Sequence, residues 1–495
     1  MPNILRGSRV KKSSKRANDF ISSIGFDGPI AKHVVSINMA HMLALLKSKE
    51  VSSEVASASL GFLSGLPSRL DLDADTEDVH HMLEQEAIRL IGMEKAGYLN
   101  LGKSRNDQVA TALRMETRAR LLELSKALCE VQESLLRVIR RFGKAPMPGY
   151  THLQHAQPVT VGHHMQGYFE AIQRDLGRAQ QTYRRVNLSP MGAAALAGTS
   201  VRVDRSYVAS MLGFQGLAEN AMDAVSSRDF ALEAVSVAAI VMVNLSRMAE
   251  EIVLWSSSEF GFVEVADEYS ATSSIMPQKK NPVVAETVRA RCGSVIGELT
   301  ASFAIAKSLP NSYNLDLQEV TPHLWRALDE TLSSAAVMAE MLSSLEFDTE
   351  RLAGSVGGDM STATELANHL VRDHGVPFRR AHAMVGEMVR TALASGSTLE
   401  ETALRELPAI SARMTGRALK IDKHQLRNVL DALKTLELTR TAGGANPRSV
   451  PRLLLKDSRI LKQNLSWISR AGSSLMEADA RLRDQAGKNR VEVRR

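Results

Sequence analysis

The sequence predicts an all-α fold built on long, packed helices, and three observations carry that expectation. Aromatic residues make up only 4% of the 495 residues, while Ala, Leu and Met are plentiful, a mix that suits helix packing better than sheets. Leu121, Leu124, Leu128, Val131, Leu135 and Val138 alternate spacings of three and four, which places them on one helical stripe. From Ala234 to Val243 the chain is apolar except at Ser236, roughly half of what spanning a bilayer requires. That stretch reads as a helix buried on nearly all sides at the centre of a bundle.

Taken in order, Ser104 to Phe142 is a long bundle helix. Gly143 to Pro158 holds Pro146, Pro148, Gly149 and Pro158 and reads as a loop that turns the chain back. Asp223 to Leu254 is a second long helix. Ser270 to Lys280 has no periodicity and contains Pro277, so it reads as a surface loop. Asn281-Pro282 then looks like an N-cap followed by proline at the first helical position, opening a third long helix. A smaller helical unit is expected from Gly354 to Lys456, punctuated by Gly375-Val376-Pro377 and Gly443-Gly444, and a terminal helix with Trp467 fraying into Gly487 to Arg495. A chain of this length outgrows a single core. The expected division is 1–102, 103–353, 354–460 and a basic helix and tail at 461–495.

Apolar residues at 44% and charged residues at 23% are ordinary globular usage, which argues against wholesale disorder and against a membrane protein. Cys129 and Cys292 stand far apart and outside any CxxC or Cys/His cluster, so neither a disulfide framework nor a metal site is expected. The first residues are basic but lead into no apolar stretch, so no secretory signal is read and a cytoplasmic location is expected. Net charge is +6, with Arg6, Arg9, Lys11, Lys12, Lys15 and Arg16 at one end and Arg481, Arg483, Lys488, Arg490, Arg494 and Arg495 at the other. No aromatic interleaving accompanies these runs, so they read as solvated tails or as a bias toward a dianionic substrate rather than as a nucleic-acid or membrane surface.

Three segments concentrate chemistry. Gly102 to Gln108 sets Ser104, Arg105, Asn106 and Asp107 at a helix start, where free N–H groups and a guanidinium suit a carboxylate; a plain N-cap is the competing reading. Gly149 to Pro158 gathers Thr151, His152, Gln154, His155 and Gln157, a set able to shuttle protons and orient a polar ligand, although a loop histidine is also often merely solvated. Ser273 to Asn281, with Glu286 one turn further, places a serine near Lys279, which would favour an alkoxide, whereas exposed lysines in a loop are ordinarily solubilising charge.

SRNDQVAT (104–111), GYTHLQHAQP (149–158), MDAVSSRDF (222–230), SSIMPQKKN (273–281) and YNLDLQE (313–319) stand in an order and spacing that resemble the argininosuccinate lyase family of the fumarase/aspartase superfamily. Thr272 and Pro322 to Trp325 resemble its archaeal branch, and the likeness covers roughly residues 20 to 450. The resemblance implies a three-domain fold with a long central helical bundle. It implies a reversible β-elimination of argininosuccinate to arginine and fumarate, in arginine biosynthesis, without a cofactor. It makes Ser273 the base, Lys279 and Asn281 the groups that stabilise the anionic intermediate, and His152, supported by Glu286, the group that serves proton transfer at the leaving nitrogen or orients a water. Ser104, Arg105, Asn106 and Thr151 would hold the succinyl half, and Tyr313 and Gln318 the arginine half, with Arg228 joining them. It further implies a homotetramer whose sites each draw on three subunits.

Several substrate-facing positions depart from the commoner family pattern: Ile37-Asn38 stands for a Gly-Ser pair, which makes Asn38 a substrate-contact candidate, Asn100-Leu101 for His-Thr, Ala112 for Asp and Thr321 for Lys. These departures keep two alternatives in view, a non-catalytic structural relative and a lyase for another N-substituted aspartate.

Overall fold

The computed structural model describes residues 14–67, 70–72, 76–357 and 360–490; Arg6, Arg9, Lys11, Lys12, Arg494 and Arg495 of the basic ends lie outside them. The principal helices are α1 (Gly28–Lys47), α2 (Val79–Ile91), α3 (Arg105–Phe142), α4 (Val161–Val186), α5 (Asp229–Trp255), α6 (Val283–Ala306), α7 (Asp316–Ser343) and α8 (Val450–Lys488). Helices α3 to α7 pack side by side as a bundle, and α8 returns along α3. The stripe from Leu121 to Val138 is buried, as its spacing requires. Ser104 starts α3 with a capping box, its hydroxyl accepting from Asn106 N at 3.3 Å while Asp107 accepts from Ser104 N at 2.9 Å.

One large core runs from Ile30 to Ala486, and a second, separate one from Leu366 to Val429 lies within the shorter helices between α7 and α8. Helix α8 runs unbroken through the expected divide at 460/461, and the divide at 353/354 falls inside the helix Thr349–Gly357. Buried arginines tie the bundle to its connections. Arg118 donates to Asn187 Oδ1 at 2.6 Å and to Gly213 O at 3.1 Å, with its guanidinium 4.4 Å from the Phe214 ring centre.

Four expectations change. Gly143 to Pro158 is largely an antiparallel hairpin, β1 (Pro146–Thr151) with β2 (Gln154–Thr160), in which Pro148 sits opposite Pro158; an isolated two-stranded ribbon tolerates prolines because its outer edges need no ladder bonds. Its tip, His152-Leu153, has φ of 55° at both residues, the type I′ geometry that matches strand twist. The helix expected from Asp223 breaks, because Asn220 caps a short helix Ala221–Ser226 and Ser227 is extended before α5 begins. Asn281 lies in a short ladder rather than at the cap, and Pro282 takes the N-cap position of α6. Helix α5 is not covered all round, since Ile240 and Val243 are exposed. By length and composition α1 and α5 could cross a membrane, but 67% and 56% of their apolar windows are buried inside the chain, as in core helices.

Candidate active site

A cleft of about 180 Å³ opens where the starts of α1, α2 and α3 meet the Arg228 turn and the beginning of α7. It brings together Arg105, Asn106, Arg228, Tyr313 and Gln318 from three well-separated stretches of sequence. Asn106 is oriented by Nδ2 donating to Ala195 O at 3.0 Å, and Gln318 by Nε2 donating to Ile21 O at 2.9 Å. Arg105 Nη1 pairs with Asp78 at 2.7 Å, and its buried Nη2 has no hydrogen-bond partner among the described residues, a donor suited to an incoming carboxylate. Arg228 is buried and donates to Ser227 O at 3.0 Å; burial lowers its guanidinium to about 10, still charged at neutral pH. Burial also raises the Tyr313 hydroxyl, keeping it protonated as a donor.

Sequence reasoning missed the acidic wall. Asp27 is pushed up to about 7 by burial, against hydrogen bonds from Val79 N at 3.0 Å and Ser23 Oγ at 3.0 Å. Asp78 caps α2 through His81 N at 2.7 Å, and His80, lowered to about 4 by burial, lines the same wall as a neutral ring. Polar residues just before a helix read as caps, which hid them. Ser104 adjoins the cleft as the α3 cap. Asn38 is not in its wall: the side chain is buried on α1, its amide donating to Val34 O at 2.8 Å.

The remaining candidates form two further groups outside this cleft. Thr151 and His152 are exposed at the hairpin tip. Below them Tyr150 and His155 face each other across the strands, hydroxyl to Nε2 3.0 Å, with Tyr150 also 5.9 Å from the Phe260 ring. Ser273, Lys279 and Asn281 belong to a loop closed by the pairs Ala271 with Asn281 and Thr272 with Lys280. Ser273 Oγ accepts from Met276 N at 3.1 Å and Ile275 N at 3.4 Å, donors that would steady negative charge on that oxygen. Lys280 is held back by Asp267 at 2.7 Å and Glu264 at 3.2 Å, whereas Lys279 makes no ion pair among the described residues. Glu286 is exposed in the first turn of α6.

Residues 8–297 match the family described as lyase, and residues 360–437 match the argininosuccinate lyase C-terminal family. The chain is 43% identical over 480 residues to the argininosuccinate lyase of Methanothrix thermoacetophila, covering 97% of this chain and 98% of the relative. It is 42% identical over 451 residues to that of Methanothermobacter thermautotrophicus, covering 90% and 96%. Among solved structures, EDDS lyase in complex with formate superposes with a TM-score of 0.87 at 26% identity, over 99% of this chain and 98% of that one. A class II fumarase from Schistosoma mansoni shares the fold, with a TM-score of 0.69 at 17% identity over 85% and 94%. Matched along nearly its whole length, the chain belongs to the argininosuccinate lyase family and is a lyase on the helical fumarase/aspartase fold.

Proposed function

We propose that this chain catalyses the reversible β-elimination of L-argininosuccinate to L-arginine and fumarate, a step of arginine biosynthesis. The observation that carries the reading is the serine loop, where a hydroxyl oxygen already accepts two backbone N–H groups beside Lys279, which makes no ion pair among the described residues. Ser273, as alkoxide, takes a proton from the methylene carbon beside the carbon that bears nitrogen. The electron pair moves onto the neighbouring carboxylate, and Lys279 and Asn281 stabilise the resulting aci-carboxylate. The pair then returns to form the carbon–carbon double bond as the carbon–nitrogen bond breaks. His152, supported by Glu286, delivers the proton to the leaving guanidino nitrogen. Ser104, Arg105, Asn106 and Thr151 hold the succinyl half, and Tyr313, Gln318 and Arg228 face the arginine half.

The working assembly is a homotetramer in the cytoplasm, with each site shared among three subunits and no nucleic-acid or membrane partner. Three features support it. The polar groups lie apart in one chain; the cleft is smaller than the roughly 300–1,000 Å³ of a complete ligand pocket; and Ile240 and Val243 on α5 and Ile296 and Phe303 on α6 present apolar side chains to solvent. The proposed domain division is 1–102, 103–353, 354–460 and 461–495, with continuous helices crossing its last two boundaries.

Fumarate release from argininosuccinate tests the reading, with Ser273→Ala alongside. Turnover by the purified chain and a loss of about 10²–10⁴-fold in the variant are expected; equal turnover by both would remove Ser273 from its role. A second reading, a lyase acting on another N-substituted aspartate, draws on the likeness to EDDS lyase and on Thr321 in the cleft wall. Turnover of such a substrate in preference to argininosuccinate would select it.

A further inference from the structure

Just before the start of α3, outside the lining of the cleft, Lys103 donates its ammonium to Asn38 Oδ1. Asn38 is in turn tied to its own helix, Nδ2 to Val34 O at 2.8 Å. One turn further along α1, the buried His41 meets Leu101 O through Nε2 at 2.7 Å. Helix α1 therefore grips the 101–103 segment at two points, immediately before the residues that present Ser104, Arg105 and Asn106.

Lys103 keeps some surface, yet protein crowds its ammonium enough that burial lowers it to about 7. Asp107 on α3 and Glu84 on α2 oppose that shift. His41 on α1 and His80 on α2 also feel the Lys103 charge, and both are held neutral chiefly by burial. Because His80 lines the cleft together with Arg105, the Lys103 charge reaches a residue of that wall from outside the lining. Replacing the family's Gly-Ser pair by Ile37-Asn38 thus supplies a carboxamide long enough to reach Lys103, and the departure becomes part of the site's support.

We propose that Lys103, held by Asn38, is a positioning residue of the dianion site: it fixes the turn that presents Ser104, Arg105 and Asn106 and places positive charge behind them. The inference rests on the proposed dianionic substrate. A long, desolvated cation behind a helix start favours a dianion in front of it, and a carboxamide anchor keeps that cation from swinging into solvent.

Two measurements on the full chain test it: fumarate binding by calorimetry across a pH series, and KM and kcat with argininosuccinate. The pH series is run in an Asp27→Asn background, which removes a second titration from the wall. Lys103→Met should raise the fumarate Kd about tenfold, equivalent to about 1.4 kcal/mol, and raise KM more than it lowers kcat. Asn38→Asp should move the loss of fumarate affinity to higher pH, because a carboxylate partner holds the lysine proton; a simply structural contact would not shift that limb. Thermal melts establish that each variant is folded, and if Lys103→Met does not fold, the Asn38→Asp limb decides. Wild-type affinity in Lys103→Met, or an unmoved limb in Asn38→Asp, overturns the inference. If the chain binds fumarate with this pattern but does not turn over argininosuccinate, the proposed substrate fails and the role of Lys103 stands.

Discussion

Arg105 Nη1 lies 2.7 Å from Asp78 Oδ2, so the guanidinium lining the cleft is already paired with a carboxylate of the same cleft. A dianion arriving there competes with Asp78 for the same cation. Asp78→Asn keeps an α2 cap of comparable quality while removing the competing charge. Fumarate should then bind about threefold more tightly, the scale of a partly exposed ion pair. Titration of variant and wild type checks this, and an unchanged or weaker Kd would mean that Arg105 does not meet the dianion.

Asp27 makes binding depend on pH in a definite direction. Its carboxyl, raised from 3.8 to about 7, is neutral in mildly acidic solution and ionises as pH rises, adding negative charge to the wall. Dianion affinity should fall across that range, and Asp27→Asn should bind more tightly at high pH with a shallower slope. Parallel slopes in the two proteins would remove Asp27 from the binding equilibrium. For folding, a raised carboxyl value means that the folded chain retains a proton that the unfolded chain has lost. The stability Asp27 contributes is therefore fully present below about 4 and declines as pH climbs to about 7.

Arg118 is the clearest stability test. It is buried and bonds Asn187 Oδ1 and Gly213 O across three chain segments, besides facing the Phe214 ring. Arg118→Met leaves the buried Asn187 Oδ1 and the half-buried Gly213 O without their donor, at a cost of about 3 kcal/mol. Denaturant titration should show a lowered midpoint. Lysine should not rescue it, because an ammonium cannot reproduce the planar fork.

Ile240 lies one turn from Val243 on the more exposed side of α5, where a carboxylate can turn toward solvent in the single chain. Ile240→Glu should leave helical content intact in circular dichroism while sedimentation reports dissociation and turnover is lost. A variant that remains assembled and active would exclude that face from the interface.

The helices were legible wherever apolar spacing repeated over several turns, as from Leu121 to Val138. Local hydrogen bonding decided the places where the reading slipped. Asn220 caps a short helix and frees Ser227 to break the expected one, and cross-strand pairing turns a proline-rich stretch into a hairpin. Within the site, Arg105, Asn106, Arg228, Tyr313 and Gln318 were each identifiable from motifs, and their meeting in one cleft is tertiary information that spacing does not hold. Asp27 and Asp78 were invisible because a carboxylate before a helix has an ordinary use as a cap, and only the cleft they share with Arg105 gives them a second one. Asn38 shows the reverse: a position marked by its motif lies behind the wall, where its neighbours are Val34 and Lys103.

Helix α3 has one further consequence. Its 38 residues span about 57 Å, and the same rod that carries Ser104, Arg105 and Asn106 at one end is clasped along its body by α4, α7 and α8. The end proposed to face the dianion is thereby tied to contacts many turns away, which holds its shape before any ligand arrives. Cavities opened far down the rod, at Leu128 for instance, should register at the mouth of the cleft as lost alignment before they register as unfolding.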